Sequence, residues 1–333
     1  MTTFKEIRGT AIQVVSSDPS NPETGQIWYN SSSGTLKGYQ LANVNAWSSG
    51  GNLNTGRTGL AGAGTQTAAI GAAGGAVPTF STATESYNGS AWTSVNPVNT
   101  GRGIVGGTGT QGAAFIFSGQ LPPTNQTRET ENWNGTSWTI GNNYPVFGYH
   151  KGTGTQTAAI TLVGQSSPDG NPGSAQTYPT ATNTYNGTSY SSAPSRNTGR
   201  RAFGVAGTQT SALAFGGQPG TATTTATESY NGTSWTTVNS LNQSRAFLAG
   251  SGDSNSSALA FGGNDDGPTN YSSTELWNGT SWTANPTGLA TARSNLAGCG
   301  TQTLALAFGG GPASTATEEW TGQALQTKTI TVS

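Results

Sequence analysis

The sequence predicts an all-β protein built from six repeated units, and two observations carry that prediction. The first is the motif Thr-Glu-Ser-Tyr-Asn-Gly-Thr-Ser-Trp at residues 227–235, which recurs about every 45 residues. Related copies begin at Thr84, Thr130, Thr182 and Thr274, and a truncated copy begins at Thr317. The second observation is a composition rich in glycine and small polar residues, which favours strands and turns over helices.

The composition also narrows the functional classes. The 333 residues include 50 Gly, 9 Trp, 10 Tyr and 10 Phe, but only 13 basic and 14 acidic side chains. A formal net charge of −1 leaves no strongly basic surface to neutralise phosphates, so we expect no nucleic-acid binding. No apolar run approaches the ~18 residues that cross a bilayer. The N-terminus lacks the apolar core of a secretion signal, so we expect synthesis in a cytoplasm without membrane insertion.

The repeats align on the tripeptide Gly-Thr-Gln, which begins at Gly64, Gly109, Gly154, Gly207 and Gly300, with a divergent copy at Gly252. Boundaries seven residues before each copy give repeats 57–101, 102–146, 147–199, 200–244, 245–292 and 293–333. Within a repeat, a short apolar run ending in two glycines, such as Ser211–Gly217, predicts a strand covered on both faces. A four-stranded repeat of this length cannot bury its own faces, whereas radial stacking into a β-propeller would bury them.

The Tyr-Asn-Gly-Thr-Ser-Trp segment predicts a β-hairpin with a two-residue type I′ turn at Asn-Gly. In this register Tyr230 faces Thr233 across the hairpin. Glu228 faces Trp235, and all four side chains lie on one side of the hairpin. We expect the aromatic residues of these hairpins to pack blade against blade rather than to stack on a ligand. They are Trp47, Tyr87, Trp92, Trp133, Trp138, Tyr185, Tyr190, Tyr230, Trp235, Trp277, Trp282 and Trp320.

The position of one tryptophan indicates how the ring closes. The tryptophan that ends a repeat precedes the next repeat by 9 to 11 residues. Trp47 stands at this distance before Arg57 although it precedes the first full repeat, and the sixth repeat has Leu325 at the corresponding place. We therefore expect six blades, closed by residues 43–50 as the outer strand of the last blade. The alternative is seven blades, with residues 26–50 as a degenerate extra blade.

Three segments follow from this arrangement. Residues 1–42 are expected to be an attachment segment, in which residues 26–30 and 35–39 form a β-hairpin. Residues 43–325 are expected to form the propeller, and residues 326–333 are expected to form a C-terminal tail.

Two charged positions recur inside the repeats in step with each other. One holds Arg57, Arg102, Arg200, Arg245 and Arg293, and the other holds Glu85, Glu131, Glu228, Glu275 and Glu318. The third repeat has Phe147 and Asn183 at these positions, so it lacks both the cation and the anion. Because one partner of a buried ion pair is costly without the other, this joint loss predicts structural ion pairs within a blade or across a blade boundary. A ring of arginines that binds an anion in the channel has no second feature in its favour.

Residues suited to catalysis or metal binding are scarce. His150 and Cys299 are the single histidine and the single cysteine. The sequence therefore predicts no His/Cys metal site, no disulfide within the chain and no Ser-His-Asp catalysis, and His150 is expected to be a loop residue. Asp169 and the pair Asp265–Asp266 are expected to be solvated turn residues of long loops, with calcium binding as the alternative. No catalytic residue, cofactor or metal site is assigned.

The repeats resemble those of kelch-type propellers. The glycine pair after an apolar strand, the following Glu-x-Tyr/Trp and the later Trp carry this resemblance over roughly residues 57–322. The tight Tyr-Asn-Gly-Thr-Ser-Trp turn departs from it, because kelch blades usually have a longer turn there. The longer pattern Gly-Thr-Gln-Thr-Ala…Ala-Phe-Gly-Gly…Ala-Thr-Glu-Ser-Tyr-Asn-Gly-Thr-Ser-Trp is similar to repeats in virion proteins of tailed phages, especially marine cyanophages. The opening Phe-Lys-Glu-Ile-Arg-Gly and the ending Lys-Thr-Ile-Thr-Val-Ser are similar to the same group.

This resemblance implies a non-enzymatic structural protein of a phage particle. Residues 1–40 would attach the chain to other virion proteins. The propeller would be displayed in several copies on the tail fibre, baseplate or capsid surface. Its long loops, 118–128, 164–180 and 264–273, are expected to contact host-surface glycans. The alternatives are a cellular carbohydrate-binding propeller lectin and a propeller hydrolase or oxidase, the last disfavoured by the scarcity of His and Cys.

Overall fold

A computed structural model of the chain describes residues 12–76, 79–171 and 173–330. Every regular element in these ranges is a β-strand, which confirms the all-β prediction for this part of the chain. No helix in the described ranges is long and apolar enough to cross a membrane. Residues 1–11 of the predicted attachment segment and residues 331–333 of the predicted tail lie outside the described residues.

Most of the strands are short. The first fourteen are β1 (Gln13–Val15), β2 (Ile27–Asn30), β3 (Thr35–Ser49), β4 (Ala61–Gly64), β5 (Ala69–Ala72), β6 (Gly75–Ala76), β7 (Thr79–Phe80), β8 (Thr84–Tyr87), β9 (Trp92–Val95), β10 (Gly106–Gly109), β11 (Ala114–Phe117), β12 (Thr130–Trp133), β13 (Trp138–Ile140) and β14 (Tyr149–Thr155). The others are β15 (Ala158–Gln165), β16 (Thr182–Tyr185), β17 (Tyr190–Ala193), β18 (Gly204–Gly207), β19 (Ala212–Phe215), β20 (Thr227–Tyr230), β21 (Trp235–Val238), β22 (Ala249–Ser254), β23 (Ser257–Phe261), β24 (Thr274–Trp277), β25 (Trp282–Ala284), β26 (Ala297–Gly300), β27 (Leu304–Phe308) and β28 (Thr317–Thr329).

The chain divides into two compact bodies. The larger body is Ala46–Trp320, and the smaller body is made from the residues on either side of it. The long strands β3 and β28 each run through one of the two division points. The predicted propeller range, 43–325, is therefore a few residues longer at each end than the larger body.

The smaller body contains a hairpin held by one carboxylate. Strands β2 and β3 pair in antiparallel fashion, as expected for this segment, and β1 pairs with β2 in parallel. Asp18 accepts hydrogen bonds from Trp28 Nε1 at 3.1 Å and from Asn30 Nδ2 at 2.7 Å. Its second oxygen lies 2.8 Å from Lys37 Nζ. These bonds lower the pKa of Asp18 to about 2, with the contact to Lys37 as the largest cause.

The larger body contains a series of antiparallel sheets. Five have four strands each, in the orders β4-β5-β8-β9, β10-β11-β12-β13, β14-β15-β16-β17, β18-β19-β20-β21 and β22-β23-β24-β25. A short hairpin of β6 and β7 belongs to the first repeat. In the last set, β27 lies between β26 and β28, and β28 lies beside β3. Gly50 N donates to Thr317 O at 2.9 Å, so the fourth strand of this set precedes the repeats in the sequence.

Small residues on the innermost strands allow neighbouring sheets to approach closely. A Cβ atom on Gly250 would lie 2.5 Å from the Phe215 ring, and one on Gly62 would lie 2.8 Å from the Phe308 ring. A side chain at either position would push two sheets apart, which explains why these strands are rich in glycine and alanine. The second of these contacts joins the first sheet to the last.

The contacts between sheets follow a circular order. Each innermost strand contacts the next, in the order β4, β10, β14, β18, β22, β26, and β26 contacts β4. Side chains of the Gly-Thr-Gln tripeptides bridge the same interfaces: Gln111 Nε2 donates to Ala69 O at 3.1 Å and to Tyr87 O at 2.5 Å. The residues that bridge to the preceding sheet in this way are Gln66, Gln111, Gln156, Gln209 and Gln302 of these tripeptides, and Asn255 directly after the divergent copy. The architecture of the larger body is therefore all-β and β-propeller-like.

The hydrophobic core is divided among these interfaces. One cluster joins Ile70 and Ala72 of the first sheet to Ile116 and Trp138 of the second. Another joins Phe308 of the last sheet to Trp92 of the first, together with residues of both repeats. Each sheet therefore buries its faces against its neighbours rather than against a shared central core.

The register predicted for the hairpins was wrong by two residues. Tyr230 lies opposite Trp235, and Glu228 lies opposite Thr237. The loop contains the four residues Asn231–Ser234 rather than two, because Asn231 Oδ1 accepts the N–H groups of Thr233 and Ser234 at 3.0 and 2.9 Å. Gly232 alone takes a positive φ of 93° in this loop, so the turn is not of type I′.

Candidate functional site

The structure brings each register arginine to a glutamate of its own repeat. The closest Nη–Oε distances are 2.8 Å for Arg57–Glu85, 3.0 Å for Arg102–Glu131, 3.0 Å for Arg245–Glu275 and 2.9 Å for Arg293–Glu318, and Arg200 pairs with Glu228 in the same way. Both partners are buried in all five pairs. The side chains are therefore inaccessible to a ligand, and they act within the sheets.

Each glutamate also holds the loop that enters its repeat. Glu85 accepts the main-chain N–H of Asn54 at 2.6 Å, and Glu275 accepts that of Asn242 at 2.7 Å. These asparagines lie three residues before the register arginine, in an Asn-x-x-Arg pattern that our sequence interpretation missed. Burial lowers the pKa of Arg245 to about 10, and the Glu275 carboxylate opposes that shift. The pairs thus fix the connection between one sheet and the next.

The third repeat has a buried arginine outside the register position. Arg196 donates to Val163 O and to Pro179 O, the latter at 3.2 Å, and its guanidinium lies 4.4 Å from the centre of the Phe203 ring. It forms no ion pair with a described carboxylate, and its Nε and Nη1 atoms have no hydrogen-bond partner there. Burial lowers the pKa of Arg196 to about 9. Arg196 is therefore a further buried arginine of the third repeat that the sequence pattern did not reveal.

The hairpin aromatics lie between the sheets. Centroid distances are 4.9 Å for Tyr87–Trp92, 5.3 Å for Trp133–Trp138, 4.5 Å for Tyr185–Tyr190, 5.0 Å for Tyr230–Trp235, 5.3 Å for Trp277–Trp282 and 5.4 Å for Trp47–Trp320. All of these rings except Trp47 and Tyr190 are buried. Trp138 Nε1 donates to Thr84 Oγ1 of the preceding sheet at 3.1 Å, and Trp47 Nε1 donates to Thr274 Oγ1 at 2.9 Å. Trp47 thus occupies the place that the other repeats give to their final tryptophan.

His150 lies in strand β14 and is buried, so the prediction of a loop residue was wrong. Its Nδ1 accepts the N–H of Gly164 at 3.2 Å, and its Nε2 lies 3.2 Å from Val146 O. This pair of contacts requires a neutral ring that is protonated on Nε2. Burial accordingly lowers the pKa of His150 to about 4.

Other residues considered for chemistry form local structure. Cys299 is buried, and burial raises the pKa of its thiol to about 12. Asp169 accepts the N–H of Asn171 at 2.9 Å, and Asp265 accepts the N–H of Gly267 at 2.9 Å, so both side chains stabilise turns. No group of three His, Cys, Asp or Glu side chains among the described residues is arranged to hold a metal ion.

The six innermost strands surround a cavity of about 210 Å³. Its lining is formed by small and apolar residues, with a few hydroxyl groups and the thiol of Cys299. Lys151 is the one charged side chain in this lining. The one charged side chain of this cavity therefore belongs to the third repeat.

The loops that join the second and third strands of the sheets all lie on one side of the larger body, because the strands alternate in direction. Two of them are connected by glutamine side chains. Gln126 Nε2 donates to Gln176 Oε1 at 3.0 Å, and Gln165 Nε2 donates to the same oxygen at 3.0 Å. These contacts join loop 118–128 of the second repeat to loop 164–180 of the third.

Arg201 extends this network to the fifth repeat. Its Nη1 donates to Gln165 Oε1 at 3.1 Å, and its Nε donates to Gln218 Oε1 at 2.7 Å. Gln218 donates to Asp266, which also lies 3.7 Å from the Arg201 guanidinium. Loop 264–273 is thus connected to the other two. We call the side chains of Gln126, Gln165, Gln176, Arg201, Gln218 and Asp266 the loop network.

The loop network is the candidate functional site. Pro123, Asp169 and Asp265, which lie in the same three loops, are exposed to solvent. Gln126 and Gln218 are buried and hold the loops together, whereas Gln165, Gln176, Arg201 and Asp266 are at least partly exposed and can offer polar groups to hydroxyls. The sequence predicted the three loops but not the side chains that connect them, since glutamines in irregular loops show no periodicity. No protein-family model and no curated protein sequence matches the chain.

Proposed function

We propose that the protein is a non-enzymatic structural component of a tailed-phage particle, in which a six-bladed kelch-type propeller contacts host-surface glycans. The loop network carries this proposal, because its hydrogen bonds join three long loops into one polar surface. Binding residues are commonly found on loops that a rigid scaffold positions. Polar contacts of this kind are individually weak, and several copies on one particle would raise the total affinity.

Six blades are supported by the circular order of the sheet contacts. The first sheet contacts the last through Gln66, which donates to Ala305 O and Trp320 O, as the other bridging residues do between consecutive sheets. The outer strand of the sixth blade is assigned to Ala46–Ser49, ahead of the first repeat. A ring closed in this way leaves only short protected sheet edges and suits a displayed module.

Attachment to other virion proteins is assigned to the smaller body. Strand β1 is an edge strand, and Val14 on it is 66% exposed. Val14 lies opposite Tyr29, which is 39% exposed, so two large apolar side chains are adjacent on one face. An edge strand with apolar side chains is suited to pairing with another chain. This supports a structural attachment role for the N-terminal segment.

Binding of the full-length chain to a glycan array and to intact bacterial cells tests the attachment role. Gln176→Ala and Asp266→Ala, in the loop network, should each weaken glycan binding at least tenfold. Thr233→Ala lies in an exposed hairpin at the opposite end of the sheets and should leave binding unchanged. The role is contradicted if the wild-type chain binds no glycan and no cell, or if all three variants bind as the wild type does.

A further inference from the structure

A ring of main-chain hydrogen bonds at one end of the innermost strands is interrupted at the third repeat. Val105 N donates to Gly59 O at 3.0 Å, and Gly59 N donates to Asn295 O at 2.8 Å. Asn295 N donates to Phe247 O at 2.9 Å, and Phe247 N donates to Ala202 O at 2.7 Å. These bonds link five repeats. Within the described residues, no equivalent bond includes the third repeat.

The interruption has a cause in the backbone of the third repeat. The ring residues Gly59, Ala202, Phe247 and Asn295 share a positive φ between 53° and 60°, and so does Ile104, which directly precedes Val105. The matching residue of the third repeat, Tyr149, lies in β14, which begins two residues earlier than the other innermost strands. A register shift follows between Tyr149 and His150. An extended backbone cannot make the left-handed turn that the ring requires, so a gap remains at this repeat.

The gap is a pocket with an apolar wall and a few polar groups. Its volume is about 170 Å³. The apolar wall is formed by Ile104, Phe203, Phe247 and Leu296. Lys151, Gln165 and Arg201 contribute polar atoms to the lining. A mostly apolar cavity with a few convergent polar groups is typical of ligand sites, and this volume lies below the ~300–1,000 Å³ of sites for drug-sized ligands.

Lys151 places an amine in the pocket lining that no other repeat has at this position. The corresponding positions of the other repeats hold only alanine or glycine: Ala61, Gly106, Gly204, Ala249 and Ala297. Lys151 lines both the pocket and the central cavity. Burial lowers the pKa of its ammonium group, and no described carboxylate opposes that shift. An amine in an apolar pocket without an anionic partner is costly to charge, and a bound anion would stabilise its charged form.

The other basic side chains near the pocket do not compete with Lys151 for a bound anion. Arg201 already faces Asp266 at 3.7 Å and donates to Gln165 and Gln218. His150 is held neutral by the contacts described above. The basic group of the pocket that has no described anionic partner is therefore the Lys151 amine, and Lys151 also lines the central cavity.

We propose that this pocket binds a small carboxylate with a compact apolar body. The carboxylate pairs with the Lys151 ammonium group, and the body contacts the side chains of Ile104, Phe203 and Leu296. An ion pair formed away from solvent gives affinity, and the apolar wall selects against strongly hydrated anions. The pocket shares Gln165 and Arg201 with the loop network, but the pairing with Lys151 does not depend on glycan binding there.

Calorimetric titration of the full chain at neutral pH tests this inference with four probes. Benzoate carries both required features, benzamide lacks the charge, glucuronate has a polar body, and inorganic phosphate has no apolar body. We expect benzoate to bind at least tenfold more tightly than each of the other three. Equal binding of benzoate and benzamide would exclude the role of the charge. Phosphate or glucuronate binding as tight as that of benzoate would exclude selection by the apolar wall.

Two variants test whether the carboxylate binds at Lys151. Lys151→Met keeps the length of the side chain and removes the charge, and Lys151→Ala restores the small residue found in other repeats. Both variants should bind benzoate at least tenfold more weakly than the wild type. Their thermal unfolding checks that they remain folded. Lys328→Met removes an exposed charge as a matched control and should bind benzoate as the wild type does. Unchanged benzoate binding in either Lys151 variant would overturn the proposal.

Discussion

The side-chain amide of Gln66 donates to the main-chain oxygen of Trp320 at 2.6 Å, although 254 residues separate them in the sequence. It donates also to Ala305 O, at 3.2 Å. Gln209 makes the same pair of contacts to Ala159 O and Tyr185 O between two consecutive repeats. The interface between the first and last sheets is therefore built like the interfaces between neighbouring ones.

Replacing Gln66 with leucine should lower the free energy of unfolding by about 1–3 kcal/mol, because two buried carbonyl groups lose their donor. Gln209→Leu should have an effect of similar size. Urea unfolding at neutral pH measures both. A neutral Gln66→Leu beside a destabilising Gln209→Leu would show that the first and last sheets do not meet in solution.

The buried pair of Arg245 and Glu275 should be strongly coupled. Glu275→Gln should lower the free energy of unfolding by about 3–5 kcal/mol, because it leaves the guanidinium buried without its anion. The double variant Arg245→Phe with Glu275→Asn copies the residues of the third repeat and should cost less than the sum of its single changes. A double-mutant cycle measures this coupling.

The exposed pair of Arg201 and Asp266 is the matched control for that cycle. Its coupling should not exceed about 1 kcal/mol, since both side chains are partly solvated. A coupling energy of the same size in the two pairs would contradict the claim that burial strengthens the coupling between Arg245 and Glu275.

His150 should make the protein less stable as the pH falls from about 6.5 towards 4. The pKa of His150 is lowered from 6.5 to about 4 by burial, so in this window the unfolded chain binds a proton that the folded chain does not. Stability is therefore complete above pH 6.5 and decreases by up to about 3 kcal/mol at pH 4. His150→Gln keeps a donor and an acceptor without titrating and should show a smaller decrease. Identical pH profiles for the two proteins would contradict a neutral buried histidine.

Trp47 should stabilise the fold although it precedes the repeats. Its ring centroid lies 4.9 Å from that of Phe261 and 5.4 Å from that of Trp320. Trp47→Ala should lower the free energy of unfolding by about 3 kcal/mol, near the lower limit for a buried tryptophan, because the ring is only partly buried. Trp138→Ala, within the second repeat, provides the comparison. A loss below about 1 kcal/mol for Trp47→Ala alone would show that residues 46–49 do not complete the last sheet.

Much of the larger body could be predicted because the sequence repeats. The joint replacement by Phe147 and Asn183 in the third repeat indicated which charges belong together. The distance from Trp47 to Arg57 indicated a strand ahead of the repeats. Both inferences depend on comparing one repeat with another, so they need no knowledge of side-chain geometry.

Features that a comparison between repeats does not reveal were predicted wrongly or not at all. The Asn231 side chain replaces a main-chain turn, so the Asn-Gly sequence suggested the wrong hairpin register. The glutamine of Gly-Thr-Gln was used only as a marker, although its recurrence in five repeats was a signal for the bridging contacts. The pocket beside Lys151 depends on an early strand start at Tyr149, which is a tertiary effect confined to one repeat.

The proposed place of the chain in a phage particle is tested most directly by quantitative mass spectrometry of purified particles whose genome encodes it. Infected-cell lysate serves as the control for expression. We expect peptides from the chain to remain with the particles through density-gradient purification, in several copies for each particle. A chain that is present in the lysate but absent from the purified particles would contradict the structural role, and glycan binding by such a chain would favour a lectin instead.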